Sequence, residues 1–176
     1  MDDEPDGRAT LRVFAVEGLD AHLERIAKEA GVGSATLYRN FPVREALVEA
    51  VYRHEVVQLC DAAPTLLATQ PAFEALRAWT RLFLDYVTAK YGMIEALRAI
   101  AATGNNPYGH SREMIQAALS TLMDACAAAG TIRADIGPTD IGAALEGIAL
   151  TSASPDQRQR AERLLDLTLD GLKTRP

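Results

Sequence analysis

Ile26-Ala27-Lys28-Glu29-Ala30-Gly31-Val32-Gly33-Ser34-Ala35-Thr36-Leu37-Tyr38-Arg39-Asn40-Phe41-Pro42-Val43-Arg44-Glu45-Ala46-Leu47 is the stretch that decides the fold. Leu23, Ile26 and Ala27 share one face of a short helix that Gly31 stops. Gly31-Val32-Gly33 reads as a tight turn, and Ser34 is a good cap for the next helix, which holds Leu37 and Tyr38. Asn40-Phe41-Pro42 ends that helix, because the proline ring pushes Phe41 out of helical geometry and suits the start of a new helix. Two short helices across a glycine turn are the geometry of a helix-turn-helix. In that geometry the first helix crosses the DNA backbone and braces the second, whose N-terminal side chains reach base edges in the major groove. The arrangement needs a small residue between the helices, a glycine at the turn and small or polar residues on the reading face. Ala27, Gly31 and Ser34-Ala35-Thr36 supply them, while Leu37 and Phe41 read as core.

Outward from this stretch the chain reads as helix throughout. Residues 1–7 form an acidic tip. A first helix from Arg8 carries Leu11, Phe14 and Ala15 on one stripe and ends at Gly18. Downstream, a long helix runs from Val43 toward Cys60, and Pro64 and Pro71 bracket a break. Further helices are expected over Ala72–Lys90, Met93–Ala101, Ser111–Ala129, Asp140–Leu150 and Pro155–Leu172. The 103–109 stretch, Thr-Gly-Asn-Asn-Pro-Tyr-Gly, is the clearest loop. No segment has strand period. The expectation is an all-α fold of about nine helices. A three-helix helix-turn-helix domain spans residues 1–46 and an antiparallel helical domain spans 47–176.

Composition narrows the class. The 176 residues are 48% hydrophobic and 24% charged, as in a soluble globular protein. The net charge of −6 opposes indiscriminate nucleic-acid binding, so a DNA contact has to come from a local basic patch. Cys60 and Cys126 fit neither a disulfide framework nor a zinc spacing and read as buried thiols in a reducing cytosol. No run approaches the roughly 18 apolar residues of a membrane span. The N-terminus Met1-Asp2-Asp3-Glu4-Pro5-Asp6-Gly7 is acidic where a secretory signal is basic and then apolar, which points to the cytoplasm. No nucleophile–base pair, paired carboxylates or metal set stands at convincing spacing, so neither catalysis nor a cofactor is expected. His22 and His54 have no partner cluster for a metal.

The Ile26–Leu47 string resembles the signature of the TetR (tetracycline-repressor) family of transcriptional regulators, and the similarity extends upstream through Phe14, Gly18 and Ala21. The resemblance implies roles for individual residues. Ser34, Ala35, Thr36 and Arg39 stand where the family reads bases or nearby phosphates. Tyr38 stands where it places a phosphate-contacting phenol. Arg44, opening the fourth helix, stands where a basic residue also meets the backbone. A guanidinium clamps phosphate in a fork, and a helix N-terminus favours an anion. His22 occupies the cap of the second helix, where the family carries a Ser or Thr that meets phosphate. The first 20 residues set Arg8 and Arg12 against Asp2, Asp3, Glu4, Asp6, Glu17 and Asp20, and that balance repels phosphate.

The C-terminal part, with Trp79 in Ala72–Lys90 and Arg133-Ala134-Asp135-Ile136 before the penultimate helix, is similar to the subgroup with an SbtR-like C-terminal domain. That similarity implies a ligand-sensing and dimerising body. Trp79, Phe83, Tyr86, Tyr91, Met93, Leu97, Met114 and Leu119 are the candidate pocket residues for an unknown small-molecule effector, though aromatic and Met stripes at helical spacing more often form core. The last two helices carry Ile141, Ala143, Ala144, Ile148, Ala149, Leu164, Leu165, Leu167 and Leu169 on more than one face, which calls for a partner subunit. The expected function is that of a homodimeric repressor. It would bind a pseudo-palindromic double-stranded operator and release it on binding ligand. A regulator with no small-molecule ligand, governed by a protein partner or by its own concentration, is the alternative.

Overall fold

The computed structural model describes Lys28, Ala35, Arg39 and residues 41–102, 108–151 and 155–174. Six helices lie among these residues, which we name α1 (Arg44–Thr69), α2 (Ala72–Gly92), α3 (Ile94–Ala102), α4 (Gly109–Ala128), α5 (Pro138–Ala149) and α6 (Pro155–Leu172). The described residues contain no strand, only a lone antiparallel backbone pairing of Ile132 with Lys173. The first three expected helices fall almost wholly outside the described residues, where only Lys28, Ala35 and Arg39 are seen, each helical and exposed.

The chain divides into two compact units. One comprises Met1–Glu55 with Ala89–Gly109, the other Val56–Thr88 with His110–Pro176. In the first unit Leu47, Val48, Val51 and Tyr52 of α1 are buried, as are Met93 and, from α3, Ala96, Leu97 and Ile100. Tyr108, at the foot of α4, meets the Tyr52 ring edge-on at 5.8 Å. The Lys90 ammonium lies 4.9 Å from the centre of the Tyr108 ring. Burial first, and Tyr52 second, push the Tyr108 hydroxyl above its ordinary pKa, while Arg98 pulls the other way.

Sequence reading and structure part at Pro64. The expected break is absent, and α1 runs through the proline to Thr69. A proline inside a helix removes one backbone bond and costs about 3 kcal/mol by itself. Here the ring faces solvent, while Leu59 and Ala63 on the opposite side are buried. Tertiary packing in the turn before the proline therefore outweighs the lost bond. The break comes at Pro71 instead, whose carbonyl accepts the Ala75 N–H at 2.9 Å and starts α2.

In the second unit the core is built from Phe73, Leu76, Trp79, Phe83, Leu84 and Tyr86 of α2, with Leu119, Leu122 and Met123 of α4 and the inward faces of α5 and α6. The Trp79 indole N–H donates to the Leu59 carbonyl at 2.8 Å and fastens α2 to α1 within this unit. Gly142 lets α5 approach α4, because a Cβ there would stand 3.3 Å from Gln116 Oε1. α5 packs on α6. Pro138 opens α5, and the Asp140 carboxylate accepts the Gly137 N–H at 3.0 Å, closing the helix start.

The expected stop at Gly130 is present. Gly130 has φ +65°. Its N–H donates to the Ala127 carbonyl at 2.9 Å, and the Thr131 N–H donates to the Cys126 carbonyl at 3.0 Å. This pair of bonds is the Schellman ending that a left-handed residue permits. The chain end is tied to the same loop: the Arg133 N–H donates to the Leu172 carbonyl at 2.9 Å and the Thr174 N–H to the Thr131 carbonyl at 3.2 Å. The Thr174 hydroxyl adds a bond to the Gly130 carbonyl at 3.1 Å.

Cys126 is buried as expected, whereas Cys60 is only partly so. Burial, with the Asp61 carboxylate second, pushes the Cys60 thiol up to about 11.

Two outcomes follow. Nothing lies within 4 Å of a Cβ built on Gly130, so Gly130→Ala acts through the backbone alone. It should lower stability by about 1–2 kcal/mol, read by thermal unfolding; an unchanged melting temperature would contradict the left-handed ending. A thiol at about 11 rather than 9.0 holds roughly a hundredth of the thiolate at pH 8. Cys60 should therefore react with iodoacetamide far more slowly in the folded chain than in urea, and equal rates would contradict it.

Candidate nucleic-acid interface and body sites

Of the residues expected to meet DNA, His22, Ser34, Thr36 and Tyr38 lie outside the described residues. Ala35 and Arg39, one helical turn apart, are both helical and exposed. Arg44 is the first residue of α1 and is half-buried, with exposed Pro42 and Val43 just before it. A guanidinium at a helix start lies where the backbone dipole also favours an anion. The first turn of α1 carries Glu45 beside it, which opposes that preference.

The expected pocket residues divide between the two units. Trp79, Phe83, Tyr86, Met114 and Leu119 belong to the second unit, and Tyr91, Met93 and Leu97 to the first. Trp79, Phe83 and Tyr86 recur along one face of α2. The Trp79 and Phe83 rings lie 5.9 Å apart at 26°, and the Phe83 and Tyr86 rings 6.0 Å apart. Leu119, Met93 and Leu97 are buried, Met114 is partly buried, and Tyr91 is 41% exposed. Trp79 already spends its single donor on Leu59. Only Thr80 and Ser111 are buried polar residues among the described ones.

The apolar residues of the last two helices separate into two faces. Ile141, Ile148, Ala149, Leu165 and Leu169 are buried inside the chain. Ala143, Leu164 and Leu167 face outward, Leu167 with 70% of its surface exposed. Two residues of the outer face escaped the sequence reading. Gly147 and Leu150 continue the spacing of Ala143 by one and two turns, and Leu150 is 69% exposed. That spacing was the signal that could have found them. A Cβ on Gly147 or Gly171 would meet nothing within 4 Å. Arg160 and Arg163 on α6 and Glu146 on α5 are also exposed.

The connector before α5 carries an exposed fork. Arg133 Nε and Nη2 donate to the two Asp135 oxygens, each at 2.6 Å. The hydrogen bond from Arg133 holds the Asp135 carboxyl below the usual carboxylate range. No group of three or more His, Cys, Asp or Glu side chains that could hold a metal occurs among the described residues. No described helix is long and apolar enough to cross a membrane.

Comparison with known proteins accounts for both parts of the chain. Residues 8–51 match the domain described as bacterial regulatory proteins, tetR family. Residues 71–174 match the transcriptional regulator SbtR-like C-terminal domain. The structure is similar to that of the TetR transcriptional regulator SCO0520 from Streptomyces coelicolor, with 68% identity, a TM-score of 0.92 and 97% of each chain covered. It is also similar to a TetR transcription regulatory protein from Mycobacterium vanbaalenii, with 32% identity and a TM-score of 0.75 over 96% of this chain and 92% of the other. A transcriptional regulator from Rhodococcus sp. Rha1, 20% identical with a TM-score of 0.67 over the whole of both chains, shares the fold. No match was found among curated proteins. The chain belongs to the TetR family of transcriptional regulators and carries an SbtR-like C-terminal domain.

Proposed function

We propose that this regulator binds a specific pseudo-palindromic operator as a homodimer in the cytoplasm, represses transcription there, and is released by a small-molecule effector. The observation that carries the reading is the 68% identity, over 97% of the chain, to a TetR transcriptional regulator. The head comprises residues 1–46 and adds three helices to the six described, giving nine. Ser34, Ala35, Thr36 and Arg39 read bases or adjoining phosphates. His22, Tyr38 and Arg44 contact the phosphate backbone. The exposure of Ala35 and Arg39 supports this assignment.

Residues 47–176 form the sensing and dimerising body. The second copy sits on the outer face of α5 and α6. Ala143 and Gly147 permit close backbone approach there, Leu150, Leu164 and Leu167 supply apolar area, and Glu146 complements Arg160 and Arg163 across a twofold axis. Fully burying one leucine is worth about 1.5–3 kcal/mol. Two heads related by that axis meet half-sites roughly 34–36 Å apart, or a multiple of it.

An effector lodged among Trp79, Phe83, Tyr86, Met114 and Leu119, or among Tyr91, Met93 and Leu97, shifts the population toward a head spacing that misfits the operator. A coupling of about 1–3 kcal/mol gives about 5- to 150-fold release. The close mutual packing of Trp79, Phe83 and Tyr86 favours a second reading, a regulator with no small-molecule effector. Thermal shift across a metabolite panel separates the two, because a ligand of the native state raises the melting temperature.

Tyr38→Ala and Arg44→Ala should each weaken binding to all DNA sequences alike; Arg44→Ala should also reduce the slope of affinity against salt by about 1, whereas loss of the uncharged Tyr38 phenol should leave the slope unchanged. Gel-shift titration at several salt concentrations reads this, and unchanged affinity in both variants would overturn the phosphate assignments. Leu164→Glu/Leu167→Glu should sediment as a monomer while still unfolding cooperatively, since both residues lie outside the chain's own core. A dimer that persists would remove α6 from the interface.

A further inference from the structure

Within the second unit three elements meet at Lys173, the residue after α6. Its backbone pairs antiparallel with Ile132. Beside that pairing the Arg133 N–H donates to the Leu172 carbonyl and the Thr174 N–H to the Thr131 carbonyl. Leu172 and Ile132 are buried, whereas Lys173 and Thr174 are exposed. Lys173-Thr174 therefore crosses the turn between α4 and α5 as a strap with no buried side chain of its own.

The Lys173 side chain reaches the third element. Its ammonium stands 5.0 Å from the centre of the Phe73 ring, in the first turn of α2, and donates to Asp170 Oδ1 at 2.8 Å. The Arg77 guanidinium lies over the same ring at 5.6 Å, and its Nη2 is 3.8 Å from the same Asp170 oxygen. Two cations thus share one ring and one carboxylate, and Asp170 offsets their mutual repulsion. The Lys173 hydrogen bond, and then the Lys173 charge, hold the Asp170 carboxyl below the usual carboxylate range. The Phe73 ring is only 8% exposed, so it is the fixed half of the contact. The Lys173 side chain is 45% exposed and lies past the last turn of its helix, so it is the movable half. A cation over an aromatic face is attracted by the quadrupole of the ring.

Little else holds the strap. The Thr174 N–H and hydroxyl bonds, 3.2 and 3.1 Å, go to carbonyls of the exposed turn, and the Lys173 N–H bond to the Asp170 carbonyl is 3.4 Å long. Segments with few buried apolar contacts and exposed hydrogen bonds open at lower free energy than the core beneath them. We propose that Lys173-Thr174 is a strap buckled to α2 by the Lys173 ammonium on the Phe73 ring, and that it opens locally while α2, α4 and α6 stay folded. The buckle couples the first turn of α2 to the turn between α4 and α5. Opening frees the Gly130 and Thr131 carbonyls and takes one cation off the Phe73 ring. The strap acts within one chain and depends on neither the dimer nor the DNA reading.

The test is residue-resolved hydrogen exchange on the full chain, read as protection factors. Thr174 should be at least about tenfold less protected than Leu84 and Leu122 in the cores of α2 and α4. Lys173→Gln should lower Thr174 protection by a further factor of about two to five and leave Leu84 and Leu122 unchanged. Lys173→Arg, which keeps a cation, should leave Thr174 unchanged. Phe73→Leu, on a different helix, should lower Thr174 protection as Lys173→Gln does, and the double variant should lower it no further than the deeper single one. Should Phe73→Leu not fold, an upfield ring-current shift of the Lys173 methylene protons reads the same contact in the unaltered chain. Unchanged Thr174 protection in Lys173→Gln, additive losses in the double variant, absence of the ring-current shift, or Thr174 protected as well as Leu84 would each overturn the buckle.

Discussion

The Trp79 indole bond to the Leu59 carbonyl, 2.8 Å long, is the constraint on which the second unit depends. The indole is fully buried, so its single donor has to find an acceptor inside the protein, and leaving it unmade would cost about 1–3 kcal/mol. Leu59 sits in the helix segment that also contains Pro64. The bond therefore fixes where α2 meets α1 and helps hold α1 helical where the proline weakens it. Around this point Leu76, Phe83 and Leu84 close the core. With α2 placed, its polar edge meets α6 through Arg77, Arg81 and Asp85, and the position of α6 decides where its outer leucines project.

Apolar and charged residues thus hold different parts of the fold. Burial drives α2, α4 and the inward stripes of α5 and α6 together, and the mixed sizes along those stripes, with Trp79 and Phe83 on α2 and Ala161 before the leucines of α6, contribute to the register. Directional groups add to it: the indole bond, the Schellman ending at Gly130, the tie of Thr174 to the 130–131 turn, and the charged edge between α2 and α6.

The helices of the body were largely legible in the sequence because their ends carry local signals. Gly130 marks a boundary that needs no knowledge of the rest of the chain, whereas the helix expected from Asp140 begins two residues earlier, at Pro138. The family was legible in the Ile26–Leu47 string, since a helix-turn-helix packs its structural requirements into adjacent residues. Pro64 was misleading because a local rule was outweighed by tertiary packing at Leu59 and Ala63. The division of the last two helices into an inner and an outer face followed from Leu164 and Leu167 beside Leu165 and Leu169. The ion pair of Arg158 with Asp85 was not legible: Asp85 lies on a different helix, and no local pattern announces a charge pair formed by tertiary packing. Burial of the aromatic row on α2 was foreseeable from its spacing, but spacing alone does not separate core from pocket.

The proposed function rests on twofold-related heads that read DNA through the Ser34–Arg44 segment. The most direct measurement is selection of bound sequences from a random double-stranded DNA pool by the purified full-length protein. The expected result is an enriched inverted repeat whose half-sites lie about 10–10.5 base pairs apart, or a multiple of that. Enrichment of no sequence, or of a single half-site without its twofold mate, would contradict it.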